Sequence, residues 1–140
     1  EALEPEYPLF IEAYSLVPDS GGPGRYRGGL GLRRDIRIMG HTSEISAQAE
    51  RFKTKPWGLF GGGDGQTGNI VLGPDTQTCK TLASKISAVE VNEGQVLRIQ
   101  TPGGGGYGSP QERPIHLIER DLREGKISLE HARKYYDYHK

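Results

Sequence analysis

Glycine falls in this chain in dense clusters, and these limit the fold more than any other feature: Gly21-Gly22-Pro23-Gly24, Gly28-Gly29, Gly61-Gly62-Gly63-Asp64-Gly65 and Gly103-Gly104-Gly105-Gly106. There are 21 glycines among 140 residues, about twice the average usage of roughly 7%. A helix through such a run is disfavoured, since each interior glycine costs about 1 kcal/mol relative to alanine. Proline beside glycine fixes φ where its neighbour is free, so the clusters read as multi-turn loops and extended backbone between short strands.

The intervening segments alternate with period two. Leu9 to Val17 reads as a first strand, with Leu9, Ile11 and Ala13 set against Glu12 and Tyr14. After Gly28-Gly29, the residues Leu30, Leu32, Ile36 and Ile38 share one face, interrupted by Arg34, and Arg33, Asp35 and Arg37 share the other. This is the pattern of a half-buried antiparallel strand. Ile45, Ala47 and Ala49 suggest a third strand and Asn69 to Leu72 a short fourth. Ile86 to Val91 and Val96 to Ile99, joined by Asn92-Glu93-Gly94, predict a hairpin. From Pro114 the period changes to 3.6. Ile115, Ile118 and Leu122 form one helical stripe closed by Gly125, and Ser128 caps a second helix with Leu129, Ala132 and Tyr136 inward. The expected build is mainly β, a glycine-rich β domain over 1–110 followed by a helical hairpin over 111–140 packed on it.

Composition narrows the functional classes. Only 34% of the residues are apolar, with one Trp, three Phe and seven Tyr. The expected core is therefore modest, and a neighbouring domain or subunit is expected to supply part of the stability. Eighteen basic residues balance eighteen acidic ones, which gives no electrostatic case for nucleic acid or an anionic membrane. Cys79 is the single cysteine, so no internal disulfide is possible, and a reducing cytoplasm is expected. No apolar run approaches the roughly 20 residues that cross a bilayer. The opening "EALEPEYP" reads as a polar connection and suggests further sequence upstream.

Two stretches match G-x-G-x-x-G: Gly63, Gly65, Gly68 and Gly103, Gly105, Gly108. A dinucleotide loop must lead into a helix N-terminus. Here the first leads into "NIVLG" and the second into Ser109-Pro110, so neither predicts a nucleotide site, and no lysine stands in P-loop spacing. His41, His116, His131 and His139 form no metal-binding pair, and no metal is expected within the chain. His116 and His131 are expected on helix surfaces, and Cys79 as a buried or inert thiol. The mixed charges over Ile115 to Tyr138 favour a docking hairpin over a DNA-binding helix pair. The one candidate anion or intermediate loop is "DSGGPG", where Asp19, Ser20, Arg25 and Arg27 surround backbone that can aim N–H groups at an anion. The alternative is a structural loop in which Asp19 caps its own backbone.

"PDSGGPGRYRGGLGLRR" (Pro18 to Arg34), "PWGLFGGGDG" (Pro56 to Gly65) and "TPGGGGYGSPQER" (Thr101 to Arg113), in this order, resemble the C-terminal part of the hydantoinase B/oxoprolinase family. "DLREGKISLEHARKYY" (Asp121 to Tyr136) is similar to that family's closing helical segment. The resemblance implies a barrel-like antiparallel β fold with short polyproline-II segments, in which Gly61, Gly62, Gly63, Gly103, Gly104, Gly105 and Gly106 are structural. It implies the C-terminal domain, fragment or split product of a B-type subunit, inactive alone. Expected partners are the rest of that subunit and a hydantoinase A-type subunit that binds ATP and Mg, in a hetero-oligomer acting on a small molecule. Hydrolysis of a hydantoin or 5-oxoproline and ketone carboxylation are both open, and the resemblance assigns no catalytic residue here. A non-catalytic β binding module is the alternative from a different class.

Overall fold

The computed structural model describes residues 2–139. Strands β1 (Leu9–Leu16), β2 (Leu32–Ile38), β4 (Asn69–Leu72), β5 (Lys80–Leu82) and β7 (Val96–Gln100) form one sheet in the order β1-β2-β7-β4-β5. Strands β3 (Ser43–Gln48) and β6 (Lys85–Val91) form a second, two-stranded sheet, and every pairing is antiparallel. A 3-10 turn (Pro110–Glu112) leads to α1 (Ile115–Arg123) and α2 (Leu129–Tyr136). The mainly β build with a C-terminal helical pair follows from the periodicities in the sequence. No helix among the described residues is long and apolar enough to cross a membrane.

Register explains the faces of the larger sheet. Ile36 lies opposite both Ile11 and Leu97, and Ile70 lies opposite both Ile99 and Leu82. This apolar face meets the small sheet in a core of Ile70, Leu82 and Leu97 against Ile45, Ala47, Phe52, Ile86 and Val89. The opposite face carries Arg33, Asp35, Arg37 and Arg98. A register shift in β1 between Ile11 and Ala13 puts Ala13 opposite Asp35, on the polar face. Simple alternation places Ala13 with Ile11; the bulge overrides it by adding one residue to one strand. In β6, Ala88 takes φ +50°, and the pairing passes from Ile45–Val89 to Ala47–Ile86.

The expected hairpin between β6 and β7 does not form. Its turn is present, with Gly94 at φ +77° and Gln95 N–H donating to the Asn92 carbonyl at 3.0 Å. The chain nevertheless changes sheets there, because Gly94 N–H bonds Ile38 O (2.9 Å) and Ile38 N–H bonds Gln95 O (3.1 Å). That hands β7 to β2, and β6 pairs with β3 instead. A turn signal specifies a reversal; it does not specify which edge receives the returning strand.

The glycine clusters come together as extended segments bonded backbone to backbone. Gly103 and Gly106 donate to Gln66 O (3.1 Å) and Gly63 O (2.9 Å), and Gly104 and Tyr107 donate to Gly29 O (2.8 Å) and Tyr26 O (2.9 Å). Gly63 and Gln66 donate to Pro23 O (2.7 Å) and Ser20 O (2.8 Å). In each pair the donor advances three residues while the acceptor retreats three. That is the repeat of polyproline-II chains, three residues per turn, running antiparallel. Such chains have no internal hydrogen bonds, so they are satisfied only by lying against one another. The approach excludes side chains: a Cβ on Gly103 would stand 3.0 Å from Gly21 N and closer still to the Ser20 carbonyl.

The helical pair follows its sequence signals. Gly125 takes φ +66°, Gly125 N–H bonds Leu122 O (3.1 Å) and Lys126 N–H bonds Asp121 O (2.8 Å), a Schellman closure of α1. Ser128 Oγ accepts from His131 N–H at 3.0 Å and caps α2. Ile118, Ile127, Ala132 and Tyr136 form a second apolar cluster. The core is thus split in two, and the glycine segments cohere through backbone hydrogen bonds instead of apolar burial.

Candidate functional site

The loop after β1 gathers the four predicted residues but sends them to different places. Asp19, at φ +61°, receives Ser128 N–H on Oδ1 (2.7 Å) and donates its own N–H to Lys126 O (3.1 Å). Its carboxylate therefore reaches the start of α2. Ser20 is 2% exposed; its Oγ donates to Val17 O (2.6 Å) and accepts from Gly31 N–H (2.8 Å), closing the neck of the loop. Arg27 bonds Asp121 Oδ2 through Nε (3.0 Å) and Gly28 O through Nη1 (2.6 Å). Arg25 faces solvent 3.6 Å from Glu112, with its guanidinium carbon 5.7 Å from the Tyr26 ring centre.

These bonds make a joint between the glycine segments and the helices. Asp121 is fully buried, and Oδ2 also accepts from Arg113 Nη2 at 2.7 Å. Arg113 in turn donates through Nη1 to Arg25 O (3.1 Å) and lies over the Tyr136 ring. Burial pushes the Asp121 carboxyl up, but the hydrogen bonds and charges of Arg27 and Arg113 outweigh it and hold it below the usual carboxylate range. Arg27 and Asp121 are 94 residues apart in sequence. No local pattern pairs them, so Asp121 and Arg113 escape a reading that looks for neighbours along the chain.

His131, expected on a helix surface, is buried at 8% exposure, whereas Leu129 of the predicted stripe is 43% exposed. The eight-residue helix is rotated about its axis. The Ser128 cap and the Ala132–Tyr136 contact set its azimuth, and this turns His131 against Tyr135 (4.7 Å between ring centres) and toward Asp19 (Nδ1 to Oδ1, 3.6 Å). His116 is exposed, as expected, and Cys79 is exposed instead of buried. Burial lowers the His131 pKa, with Asp19 opposing and Lys134 and Arg27 adding to the fall. The unfolded imidazole, with an ordinary value of about 6.5, then binds a proton before the folded one. Stability should therefore fall as pH drops from about 6.5 toward the folded value and stay level in this respect below it. Melting temperature measured against pH should show that slope, and His131→Asn should flatten it; an identical slope in the variant would assign the effect elsewhere.

The polar sheet face holds a cavity of about 440 Å³ lined by Arg33, Asp35, Arg37, Asp75 and Arg98, with Glu12 at its side. Asp35 is 3% exposed. It accepts from Arg33 Nε (3.1 Å to each oxygen) and Nη2, and from Arg98 Nε (3.0 Å) and Nη2 (2.9 Å). Burial opposes ionisation there, yet the two guanidinium groups hold the carboxyl below its ordinary value. Elsewhere the glycine segments display exposed aromatics: Tyr26, Phe60 and Tyr107 in one cluster and, apart from it, Trp57 beneath the Arg51 guanidinium. Trp57 and Phe60 are 64% and 77% exposed, and Phe60 and Tyr26 lie 5.1 and 6.2 Å from the Tyr107 ring.

Most of the predicted glycines sit inside the bundle with their N–H groups bonded, whereas Gly61 is exposed at a turn with φ +87°. Gly63 and Gly65 donate to Pro23 O and Pro56 O, Gly68 to Arg51 O, Gly103 to Gln66 O, and Gly108 to Leu59 O. The first G-x-G-x-x-G match is consumed by internal bonds, and so are Gly103 and Gly108 of the second; a single glycine N–H does not make the phosphate cradle of a helix N-terminus.

Comparison with known proteins gives the bundle and joint a family context. The sequence model of the hydantoinase B/oxoprolinase family matches residues 1–110. An uncharacterised protein of Methanocaldococcus jannaschii is 44% identical over 99% of this chain and 24% of its own length. The putative B subunit of a D-/L-hydantoinase from a Pseudomonas species is 33% identical over 94% of this chain and 22% of its own. The crystal structure of the ATP-dependent caprolactamase from Pseudomonas jessenii superposes with a TM-score of 0.79 at 28% identity, covering 96% of this chain and 24% of that one. The chain thus spans about a quarter of the length of these relatives, and it belongs to the hydantoinase B/oxoprolinase family.

Proposed function

We propose that the chain serves as the C-terminal part of a B-type subunit in an ATP-dependent complex that opens a cyclic amide, a lactam or hydantoin, in the cytoplasm. The family match over residues 1–110 carries this reading. ATP and Mg are assigned to an A-type partner subunit, in keeping with glycine loops here in which most N–H groups are already bonded. The role of this part is architectural. The bundle fixes an exposed aromatic cluster at Phe60, Tyr26 and Tyr107, with Trp57 exposed under Arg51, and we assign these aromatics to contact with the remainder of the B-type chain. The relatives devote about three quarters of their length to that remainder. Exposed Trp, Tyr and Arg on rigid backbone is the composition of a well-packed interface centre. In the polar loop, Arg25 is the predicted residue still placed to meet a passing anion.

The test is purification of the chain with its genetic neighbours, followed by ATP hydrolysis in the presence of hydantoin, 5-oxoproline, caprolactam or acetophenone. Substrate-dependent turnover is expected from the complex on one of the cyclic amides and not from the 140-residue chain. Turnover by the chain alone would overturn the reading. Turnover with acetophenone that requires bicarbonate would replace hydrolysis by carboxylation.

A further inference from the structure

The polar cavity on the large sheet is not used by the function proposed above, and its charges are unevenly anchored. Two of its guanidinium groups, Arg33 and Arg98, close on one buried carboxylate, Asp35. Asp35 neutralises one of those charges, so the cavity floor keeps a surplus of one positive charge. What meets that surplus is Asp75, whose Oδ2 lies 2.9 Å from Arg98 Nη2. The two acids are not alike. Asp35 is fixed in a central strand with both oxygens engaged, whereas the Asp75 side chain is 80% exposed. Asp75 sits at φ +64° in a turn after Gly73, itself at φ +61°. Arg37 and Glu12 pair with each other at the side and add no net charge.

We propose that this cavity is a binding site for a small carboxylate, with the exposed Asp75 carboxylate as a built-in stand-in that a ligand displaces from Arg98. The buried Asp35 orients both guanidinium groups, so Arg98 is held in place whether or not Asp75 is there. Arginine presents a planar fork suited to a carboxylate. Thr76 and Thr78 line the same cavity beside the turn, and the Thr76 hydroxyl donates to Gly73 O (2.6 Å). A volume of about 440 Å³ falls within the range of small-molecule sites, roughly 300–1,000 Å³. Displacing an exposed loop carboxylate costs little, because exposed ion pairs are worth about 0–1 kcal/mol. The residues named all belong to this chain, and the inference does not require the cyclic-amide reading.

The experiment is an NMR titration of the B-type subunit that carries this chain, labelled selectively at arginine and at residues 73–79, with glutarate and, separately, inorganic phosphate, following the Arg98 Nε–H signal and the amides of residues 73–79. Saturable shifts with glutarate are expected in the unmodified subunit. Asp75→Asn tolerates the left-handed backbone and removes the competing charge. It should tighten apparent glutarate binding about fivefold, as expected if the stand-in holds the fork about four-fifths of the time. Arg98→Lys keeps a charge over Asp35 but loses the fork, and should abolish saturation while amide dispersion remains native. Equal affinity in the Asp75→Asn subunit would overturn the stand-in. Absence of saturation in both the unmodified and Asp75→Asn subunits, or saturation by phosphate and not by glutarate, would overturn the carboxylate site. Neither result bears on the amide-hydrolysis test, which uses the complex and a different readout.

Discussion

Alanine at Gly28 is expected to cost about 3 kcal/mol or more of folding free energy, while alanine at the adjacent Gly29 should change it by less than about 1 kcal/mol. The two substitutions add the same methyl one residue apart. A Cβ on Gly28 would stand 2.6 Å from the carbonyl carbon of Gly104 and closer still to its oxygen, and 2.8 Å from Gly105 O. Those atoms are backbone, held by the bonds from Gly22 to Gly104 O and from Gly104 to Gly29 O, both at 2.8 Å. They cannot step aside as a flexible side chain could, so the segments must separate and give up hydrogen bonds. A Cβ on Gly29 meets nothing within 4 Å, and a less flexible unfolded chain can even favour the alanine. Urea unfolding of the two variants beside the parent measures the difference. Since a domain is stable by only about 5–15 kcal/mol in all, the Gly28 variant should lose a large part of its transition midpoint. Similar midpoints for the two variants would mean that the segments are not packed as tightly as the geometry requires.

That contrast shows what the sequence could and could not reveal. The runs announced extended backbone, and the resemblance implied polyproline-II segments. Nothing in "GG" at 28–29, however, says which glycine faces another chain, because the facing partner at Gly104 lies far along the sequence. Short-range signals carried through well: Gly125 closes α1, Ser128 caps α2, and Asn69–Leu72 is a strand with the predicted limits. Errors arose where a long-range choice overrode a local pattern. The β1 bulge moved Ala13 to the polar face, the turn at Asn92–Gly94 led into a different sheet, and the rotation of α2 buried His131 in place of Leu129. The candidate loop was legible as a loop with two arginines, but not as a joint. The carboxylate that engages Arg27 stands on a helix 94 residues away.

Asp121→Asn should cost about 3–5 kcal/mol, the usual penalty when one member of a buried charge network is removed and the others stay. The amide is close to the carboxylate in size, so the effect isolates charge from packing. It would leave Arg27 and Arg113, whose side chains are 13% and 5% exposed, sharing a site with no anion between them. The same dependence gives a pH signature. Because the folded carboxyl titrates below its ordinary value of about 3.9, its stabilisation is complete above that value and lost as pH falls through the folded one. Asp35, also depressed, contributes in the same window, so the variant should keep part of the acid transition and lose part. Location is the sharper test. Asp121 ties α1 to the segments that carry Arg27 and Arg25, whereas the apolar core of the sheets contains none of these residues. Native-state hydrogen exchange should therefore show α1 and α2 amides losing protection well before those of β4 and β7. Pairing the change with Arg27→Gln removes one of the stranded charges and should recover part of the loss. If the double variant is worse by the full sum of the single effects, or if helix and sheet amides weaken together, the joint is not the local electrostatic lock that its geometry describes.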